Sequence, residues 1–406
     1  MRKLFYPLFV LGLLVTLGFV YKNYENKKNA IPEIKIRNKN VSSTSEWLNT
    51  KASMEGLIDK IRRNPADLKS KLQLAMLYVQ EGRTTGDHAY YDEASLILVN
   101  QVLAKDANNF DALCVKSTLL LSQHHFSDAL IAANNVVNLY PDAAYGYGLL
   151  CDAKVELGDY KGAVEAADKM ISIRPDLRSY SRVSYLREIY GDYKGAIEAM
   201  TMAVKASVTG MEQTEWCRAQ LGKLYENVGD FTSAKLQYDL SLAARPDYAY
   251  ALAGMGRLAK QNKNYEEAIN YYIKANESVT DFAFNDELID LYRLNNQNDE
   301  AQKVGNKLIE NLKLHANTDA AAPDKGHYAD KELAYVYLKM GNSDKALEHA
   351  TREWNRRPNN IDVNECLAWV YFNKNDLPDA QKFMQNALVT NSQNPVLRAR
   401  VAQIMK

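Results

Sequence analysis

The chain has 406 residues, of which 47% are hydrophobic and 25% charged, and 50 Lys and Arg residues balance 50 Asp and Glu residues. This composition is typical of a folded protein and excludes a wholly disordered chain. Proteins that bind nucleic acid neutralise phosphates with an excess of Lys and Arg, so a formal net charge of zero argues against nucleic acid as a partner.

The N-terminus has the pattern of a membrane segment. Residues 1–3 include two basic side chains, and residues 4–21 form an apolar run without a charged side chain. At about 1.5 Å per residue this run covers roughly 27 Å, enough for the hydrocarbon core of a bilayer. Because no small-x-small cleavage site follows it, we favour an uncleaved, single-pass signal anchor over a cleaved signal peptide.

The charges beside this segment give opposing indications of topology. A short basic N-terminus favours a cytoplasmic start, which would place the rest of the chain on the extracytoplasmic, periplasmic side. Six Lys and Arg residues between positions 22 and 39 outnumber the two in residues 1–3 and favour the cytoplasmic side. We expect an extracytoplasmic location and keep the cytoplasmic one as the alternative. Residues 22–44, rich in Lys and Asn, predict a flexible tether.

From residue 45 onwards the chain consists of a repeated unit. Its clearest marker is an alanine in surroundings such as GDYKGAVEAA, and successive copies are 34, 33, 38, 34, 33, 45 and 34 residues apart. Spacings of this size are typical of a helical repeat array rather than of one globular core. The marker alanines are Ala129, Ala163, Ala196, Ala234, Ala268, Ala301, Ala346 and Ala380.

Other features recur at fixed distances from this alanine. A small residue stands twelve positions before it, with Ile289 as the exception, and an aromatic residue or leucine usually stands three positions before it. Several units have a Gly-Asp or Gly-Asn turn between the two small residues, and four have a proline twelve positions after the alanine. Two facing small residues let helices approach closely, while glycine and proline end helices. Each unit therefore predicts an antiparallel helix pair.

The order of small residue, turn, aromatic residue, alanine and proline resembles the tetratricopeptide repeat. The resemblance implies an all-α fold, a right-handed α-α solenoid of about eight to nine helix-turn-helix repeats over residues 45–406, with partial caps at both ends. Residues 315–327 contain few large apolar side chains, and we expect them to form a loop insert.

In the family that this chain resembles, the first helix of each repeat lines a concave face that holds peptides or partner helices. Lys223 and Arg257 occupy equivalent positions in adjacent units, so they either converge on a partner's carboxylate or pair with Glu226 or Glu215. Aromatic and arginine side chains often anchor interfaces, although many aromatics here are equally suited to packing between helices. The expected partner-binding residues are Tyr145, Tyr185, Trp216, Lys223, Tyr250, Arg257, Tyr328, Tyr335 and Trp369.

The sequence contains no pattern typical of an enzyme, a cofactor site or a metal site. The four cysteines are scattered without a CxxC pair, and phosphate-loop, dinucleotide-binding and GxSxG motifs are all missing. The pair His124-His125 stands beside a predicted turn, where we expect two exposed imidazoles without a metal. We therefore predict no enzymatic activity, no cofactor and no metal.

These observations together predict a non-enzymatic, membrane-tethered scaffold or adaptor. It would bind protein or peptide partners on its concave face, and a bacterial envelope complex is the expected setting. Two alternatives stay open: the aromatic groove captures a glycan or cell-wall fragment, or the array associates with itself as a structural element.

Overall fold

The computed structural model describes residue 16 and residues 31–37, 45–316 and 326–406. Apart from residue 16, the predicted anchor at residues 4–21 lies outside this part of the chain, as does most of the predicted tether. No helix within the described part is long and apolar enough to cross a membrane.

Helices account for the whole architecture of the described residues, which contain 20 helices and no β-strand. They are α1 Ser45–Arg63, α2 Leu68–Thr85, α3 His88–Leu103, α4 Phe110–Ser122, α5 Phe126–Leu139, α6 Ala144–Leu157, α7 Tyr160–Ile173, α8 Leu177–Ile189, α9 Tyr193–Lys205, α10 Glu212–Asn227, α11 Phe231–Ala244, α12 Ala249–Gln261, α13 Tyr265–Ser278, α14 Phe282–Leu294, α15 Asn298–His315, α16 Asp330–Lys339, α17 Ser343–Arg356, α18 Ile361–Asn373, α19 Leu377–Ala387 and α20 Pro395–Ile404. Consecutive helices from α2–α3 to α18–α19 pack as pairs, with α1 and α20 at the two ends. The predicted all-α repeat solenoid is confirmed.

The Gly-Asp turns determine where a pair reverses. Gly158 and Gly191 end α6 and α8 with φ values of 82° and 79°, a left-handed conformation that glycine adopts without steric cost. The next residues are Asp159 and Asp192. Each carboxylate accepts a hydrogen bond from the backbone amide three positions later, at 3.0 and 2.9 Å, and so caps the helix that follows. A cap of this kind contributes about 1 kcal/mol to helix stability. We call these connections within a pair hairpins and the connections between pairs interpair loops.

The recurring small residues lie where the two helices of a pair touch. Ser184 and Ala196 are both buried, and the Ser184 hydroxyl donates a hydrogen bond of 2.7 Å to the Ala196 carbonyl. In the pair α10–α11, a Cβ atom at Gly222 would lie 2.4 Å from the ring of the fully buried Tyr238. A larger residue on one helix is therefore matched by a smaller one on its partner.

Ile289, the exception in the row of small residues, is fully buried against Ala301, Leu308 and Val336. The marker alanine Ala301 stays small on the second helix, and Gly305 further along that helix leaves room for Met340 of the next pair, which a Cβ atom there would overlap. The helices keep their close packing with the volumes redistributed.

The array winds into a superhelix whose successive turns touch. The backbone amide of Thr280 donates to the Thr85 carbonyl at 3.0 Å, and that of Tyr328 donates to the Gln123 carbonyl at 3.1 Å. Further along, the amide of Ile361 donates to the hydroxyl of Tyr160 at 2.7 Å. In each contact, the earlier residue lies at or next to a hairpin. The later residue lies at or next to an interpair loop, about 200 residues further along the chain. One superhelical turn thus comprises about six units of about 34 residues.

Residues 31–37 lie against the first pair, whereas the sequence predicts a flexible tether over residues 22–44. Arg37 is buried and forms an ion pair with Glu81 of α2 through bonds of 2.5 and 2.7 Å. The Tyr78 hydroxyl donates to the Pro32 carbonyl at 2.6 Å. Ile31 and Ile34 also pack against the hydrophobic cluster of the first pair. The Lys- and Asn-rich composition of residues 22–44 as a whole hides this short apolar stretch.

Candidate functional site on the inner face of the superhelix

The first helices of the pairs carry most of the side chains that the tetratricopeptide resemblance places on the concave face. Seven of the nine predicted residues are engaged in contacts within the array. Tyr145 shares a 3.1 Å hydrogen bond with Thr118 of the preceding pair, and the Arg178 guanidinium lies 5.0 Å from its ring centre. Trp216 packs into the hydrophobic clusters of two neighbouring pairs. These two aromatics therefore join adjacent repeats.

The same holds towards the C-terminus. Tyr250 makes edge contacts with Tyr248 and Phe284, with ring centres 5.7 and 5.8 Å apart. The Arg400 guanidinium lies 5.1 Å from the ring centre of Tyr335 and 5.1 Å from that of Trp369. Tyr328 stacks on His125 at 4.3 Å, in the contact between superhelical turns. The structure therefore shows these residues packing within the array.

Arg257 already has an internal carboxylate partner. Its guanidinium donates to both oxygens of Glu226, at 2.8 and 3.1 Å, and a further bond of 3.0 Å joins it to the Tyr238 hydroxyl. Tyr238 is fully buried and donates to the same carboxylate. Of the two alternatives for Lys223 and Arg257, pairing with Glu226 therefore applies to Arg257, while Lys223 stays exposed.

Tyr185 of α8 is the aromatic residue of the nine with the most exposed surface, at 41%. Even so, the surrounding protein desolvates its hydroxyl and raises its pKa well above the usual value, and the carboxylates of Asp362, Glu156 and Glu188 raise it further. These carboxylates come from α18, α6 and α8, so two superhelical turns contribute to the surroundings of one ring.

Two lysines add positive charge to this region. Burial raises the pKa of Glu188, although the neighbouring Lys223 favours its ionised form. Burial opposes the charge on Lys331, but Asp362 and Glu332 outweigh it and raise the lysine pKa. We call the surface formed by Tyr185, Glu156, Glu188, Lys223, Lys331 and Asp362 the Tyr185 patch. It combines one exposed ring with charges of both signs.

The histidine pair in the α4–α5 hairpin differs from the sequence-based expectation of two exposed imidazoles. His125 is only 3% exposed, and its Nε2 lies 2.7 Å from the Gly326 carbonyl oxygen. The Nδ1 of His124 lies 2.8 Å from the Tyr328 carbonyl oxygen. The expectation was wrong because the residues that cover this hairpin come from the next superhelical turn, about 200 positions later.

Comparison with known proteins gives one family match. The model described as tetratricopeptide repeat matches residues 220–276, which span α10 to α13. Among curated proteins, no match to this chain is found.

Several solved structures are similar to this chain. The human IFIT1 dimer with PPP-AAAA is 12% identical, with a TM-score of 0.51 over 84% of this chain and 78% of that one. The APC/C hetero-tetramer Cut9-Hcn1 is 14% identical, with a TM-score of 0.47, and the match covers 89% of this chain but only 60% of that chain's length. PilF of Pseudomonas aeruginosa is 17% identical, with a TM-score of 0.41 over 51% of this chain and 93% of that one. At such identities a likeness shows the fold alone. The likeness to IFIT1, with its TM-score above 0.5, and the repeat match together support a tetratricopeptide repeat protein.

Proposed function

We propose that this protein is a non-enzymatic scaffold that binds a protein or peptide partner through the Tyr185 patch. As part of the same proposal, residues 4–21 tether it to a membrane, with the array on the extracytoplasmic side of a bacterial envelope complex. The repeat fold supports a protein-interaction scaffold in general, since stacked repeats expose an extended inner surface.

The observation that carries the proposal is the exposed ring of Tyr185 amid charges of both signs. An aromatic side chain buries a large area at a small cost in conformational entropy, and a polar rim around it is typical of the strongest contacts in protein interfaces. A peptide that offers one apolar side chain and a few charges matches this surface. Around a ring that stacks on a sugar we expect mainly Asn, Asp and Gln. Apart from Asp362, the charged neighbours of Tyr185 are the Glu and Lys residues Glu156, Glu188, Lys223 and Lys331, which favour a peptide over a glycan.

Photocrosslinking in cells tests this proposal with the full-length protein. We expect p-benzoylphenylalanine at position 185 to form an adduct with a discrete protein, because the ring at this position would lie in the interface. The control carries the same group at Ile131 of α5, which is 69% exposed, and should not give that adduct. Lys223→Glu should weaken the adduct at position 185 while leaving the helix content unchanged.

Other outcomes of this experiment point elsewhere. The same adduct from both positions, or no protein adduct, would contradict the proposal. An adduct of twice the chain mass would favour self-association, and suppression by soluble cell-wall sugars would favour glycan binding. Fractionation of the same cells tests the tether, which requires the chain to sediment with membranes.

A further inference from the structure

Three side chains with metal-binding groups meet where the α4–α5 hairpin touches the next superhelical turn. His124 lies in that hairpin, His327 in the interpair loop before α16, and Glu332 on the first turn of α16. One ligand atom from each lies within 4.8 Å of the other two. The two histidines are 203 residues apart in sequence, so only the winding of the superhelix brings them together.

Backbone carbonyls orient both imidazoles. The Nδ1 of His124 lies 2.8 Å from the Tyr328 carbonyl oxygen, and the Nδ1 of His327 lies 3.2 Å from the Ser122 carbonyl oxygen. A carbonyl oxygen only accepts, so each Nδ1 carries the hydrogen and each Nε2 keeps a free lone pair. Metal-binding histidines usually have this arrangement, with one ring nitrogen held by a carbonyl and the other on the metal.

Glu332 supplies an independent indication that a partner belongs at this site. The residue is only 4% exposed, and its Oε2 is buried without a hydrogen-bond partner among the described residues. A buried polar group without a partner costs about 1–3 kcal/mol, and a charged one costs more. A bound cation would remove this cost.

The electrostatics of the site agree with metal binding. Burial lowers the pKa of His124 well below its usual value and also lowers that of His327, so burial favours the neutral imidazole, which is the form that binds a metal. Lys331 and Arg357 lie near His124 and oppose an added cation. The carboxylates of Glu332 and Asp92 near His327 offset these charges.

We propose that His124, His327 and Glu332 bind one divalent transition-metal ion of the zinc type, which joins two superhelical turns. Two neutral imidazoles and one carboxylate suit zinc, with water as the fourth ligand. Zinc bonds of about 2.0–2.1 Å place tetrahedral ligand atoms roughly 3.3 Å apart, so the three atoms must approach by at most about 1.5 Å. Rotation of the Glu332 side chain can bring its carboxylate towards the two imidazoles, because its Oε2 has no hydrogen-bond partner to lose.

Titration of the full-length protein with zinc chloride alone tests the proposal. We expect equilibrium dialysis to give one zinc ion per chain, and cobalt(II) in its place to give the visible absorption of a tetrahedral site. Zinc should also raise the melting temperature, because a ligand that binds only the folded state stabilises it.

Matched variants separate this site from adventitious binding. His124→Asn removes one ligand and keeps a residue that tolerates the left-handed backbone at this position, where φ is 61°. Glu332→Gln keeps the shape and removes the charge. Loss of a neighbouring, outer-shell group typically weakens metal binding 10–100-fold, so each variant should bind zinc at least about 100-fold more weakly.

Glu348→Gln is the control, since this carboxylate is exposed on α17 and pairs with Arg352. It should bind zinc as the wild type does. No stoichiometric zinc on the wild type, or unchanged affinity in Glu332→Gln and His124→Asn with normal helix content, would overturn the proposal.

Discussion

Replacing Arg357 by alanine should lower the free energy of unfolding by about 3 kcal/mol. Its side chain is 2% exposed, pairs with Glu156 across the contact between superhelical turns, and donates to Glu353 at 2.5 Å. Its guanidinium also lies 4.7 Å from the ring centre of Phe126. Removal leaves Glu156 without its pair. We take the low end of the range for a broken buried pair because the Glu156 side chain is 35% exposed and because Arg356 stays on Glu353, at 2.5 Å.

The loss should depend on pH. Burial already raises the pKa of Glu156, and the positive charge of Arg357 restrains that rise. Without Arg357 the folded-state pKa lies further above the unfolded one, so the folded state binds the proton more tightly. Stability is then present below the unfolded pKa and is lost as the pH rises through the folded pKa. The difference from the wild type should therefore be smaller at pH 5 than at pH 8.

Arg352→Ala is the matched control, on α17 five residues before Arg357. Its side chain is half exposed and pairs with the exposed Glu348, and such surface pairs contribute about 0–1 kcal/mol. It also lies 3.5 Å from an oxygen of Asp330, but that carboxylate keeps Arg356 at 2.5 Å without it. Urea denaturation followed by circular dichroism measures both variants. Equal losses for Arg357→Ala and Arg352→Ala would show that the contact between superhelical turns does not stabilise the fold.

Gly158→Ala should also destabilise the protein strongly, through two separate effects. Alanine in the left-handed conformation costs about 1–2 kcal/mol. In addition, the new Cβ atom would lie 2.3 Å from the Asn359 carbonyl oxygen on the next superhelical turn, so the two turns must move apart. Overpacking of this kind costs about 1–3 kcal/mol more.

Gly229→Ala separates the two effects. Gly229 has a nearly identical φ of 80°, but a Cβ atom there would meet nothing within 4 Å. It should therefore show the backbone cost alone, and Gly158→Ala should be about 1–3 kcal/mol less stable than Gly229→Ala in the same urea experiment. Equal stabilities of the two variants would contradict the close approach at Gly158.

The helix pairs could be predicted from the sequence because their determinants are local. Gly158 ends one helix, Asp159 caps the next, and Ser184 and Ala196 lie twelve positions apart where the helices touch. Each of these signals lies within one unit of about 34 residues. Repetition of the same signals along the chain made the prediction of an all-α solenoid secure.

The contacts between superhelical turns could not be predicted in the same way. They depend on the small rotation between neighbouring pairs, summed over about six units, and no single residue encodes that sum. This is why the sequence placed His124 and His125 in an exposed turn and gave no sign that Arg357 meets Glu156. A separation of about 200 residues between two groups of opposite charge predicts a contact only when the number of units in one superhelical turn is known.

The binding face was predicted in outline but not residue by residue. An aromatic side chain on the first helix of a repeat can reach the adjacent repeat. Tyr145 and Trp216 do so, and they contribute to the packing between repeats. Tyr185 differs from them only in how its neighbours are arranged. Sequence alone does not separate the two roles, because both use the same residue type at the same position in the repeat.

Hydrogen exchange at three backbone amides tests the central claim, that successive superhelical turns touch, most directly. The amides of Thr280, Tyr328 and Ile361 donate to Thr85, Gln123 and Tyr160, which lie about 200 residues earlier in the chain. If the turns touch in solution, these amides should exchange far more slowly than those of an unstructured peptide. Exchange at the unstructured rate at all three, with the helices still protected, would mean that the superhelix is open and would contradict this account.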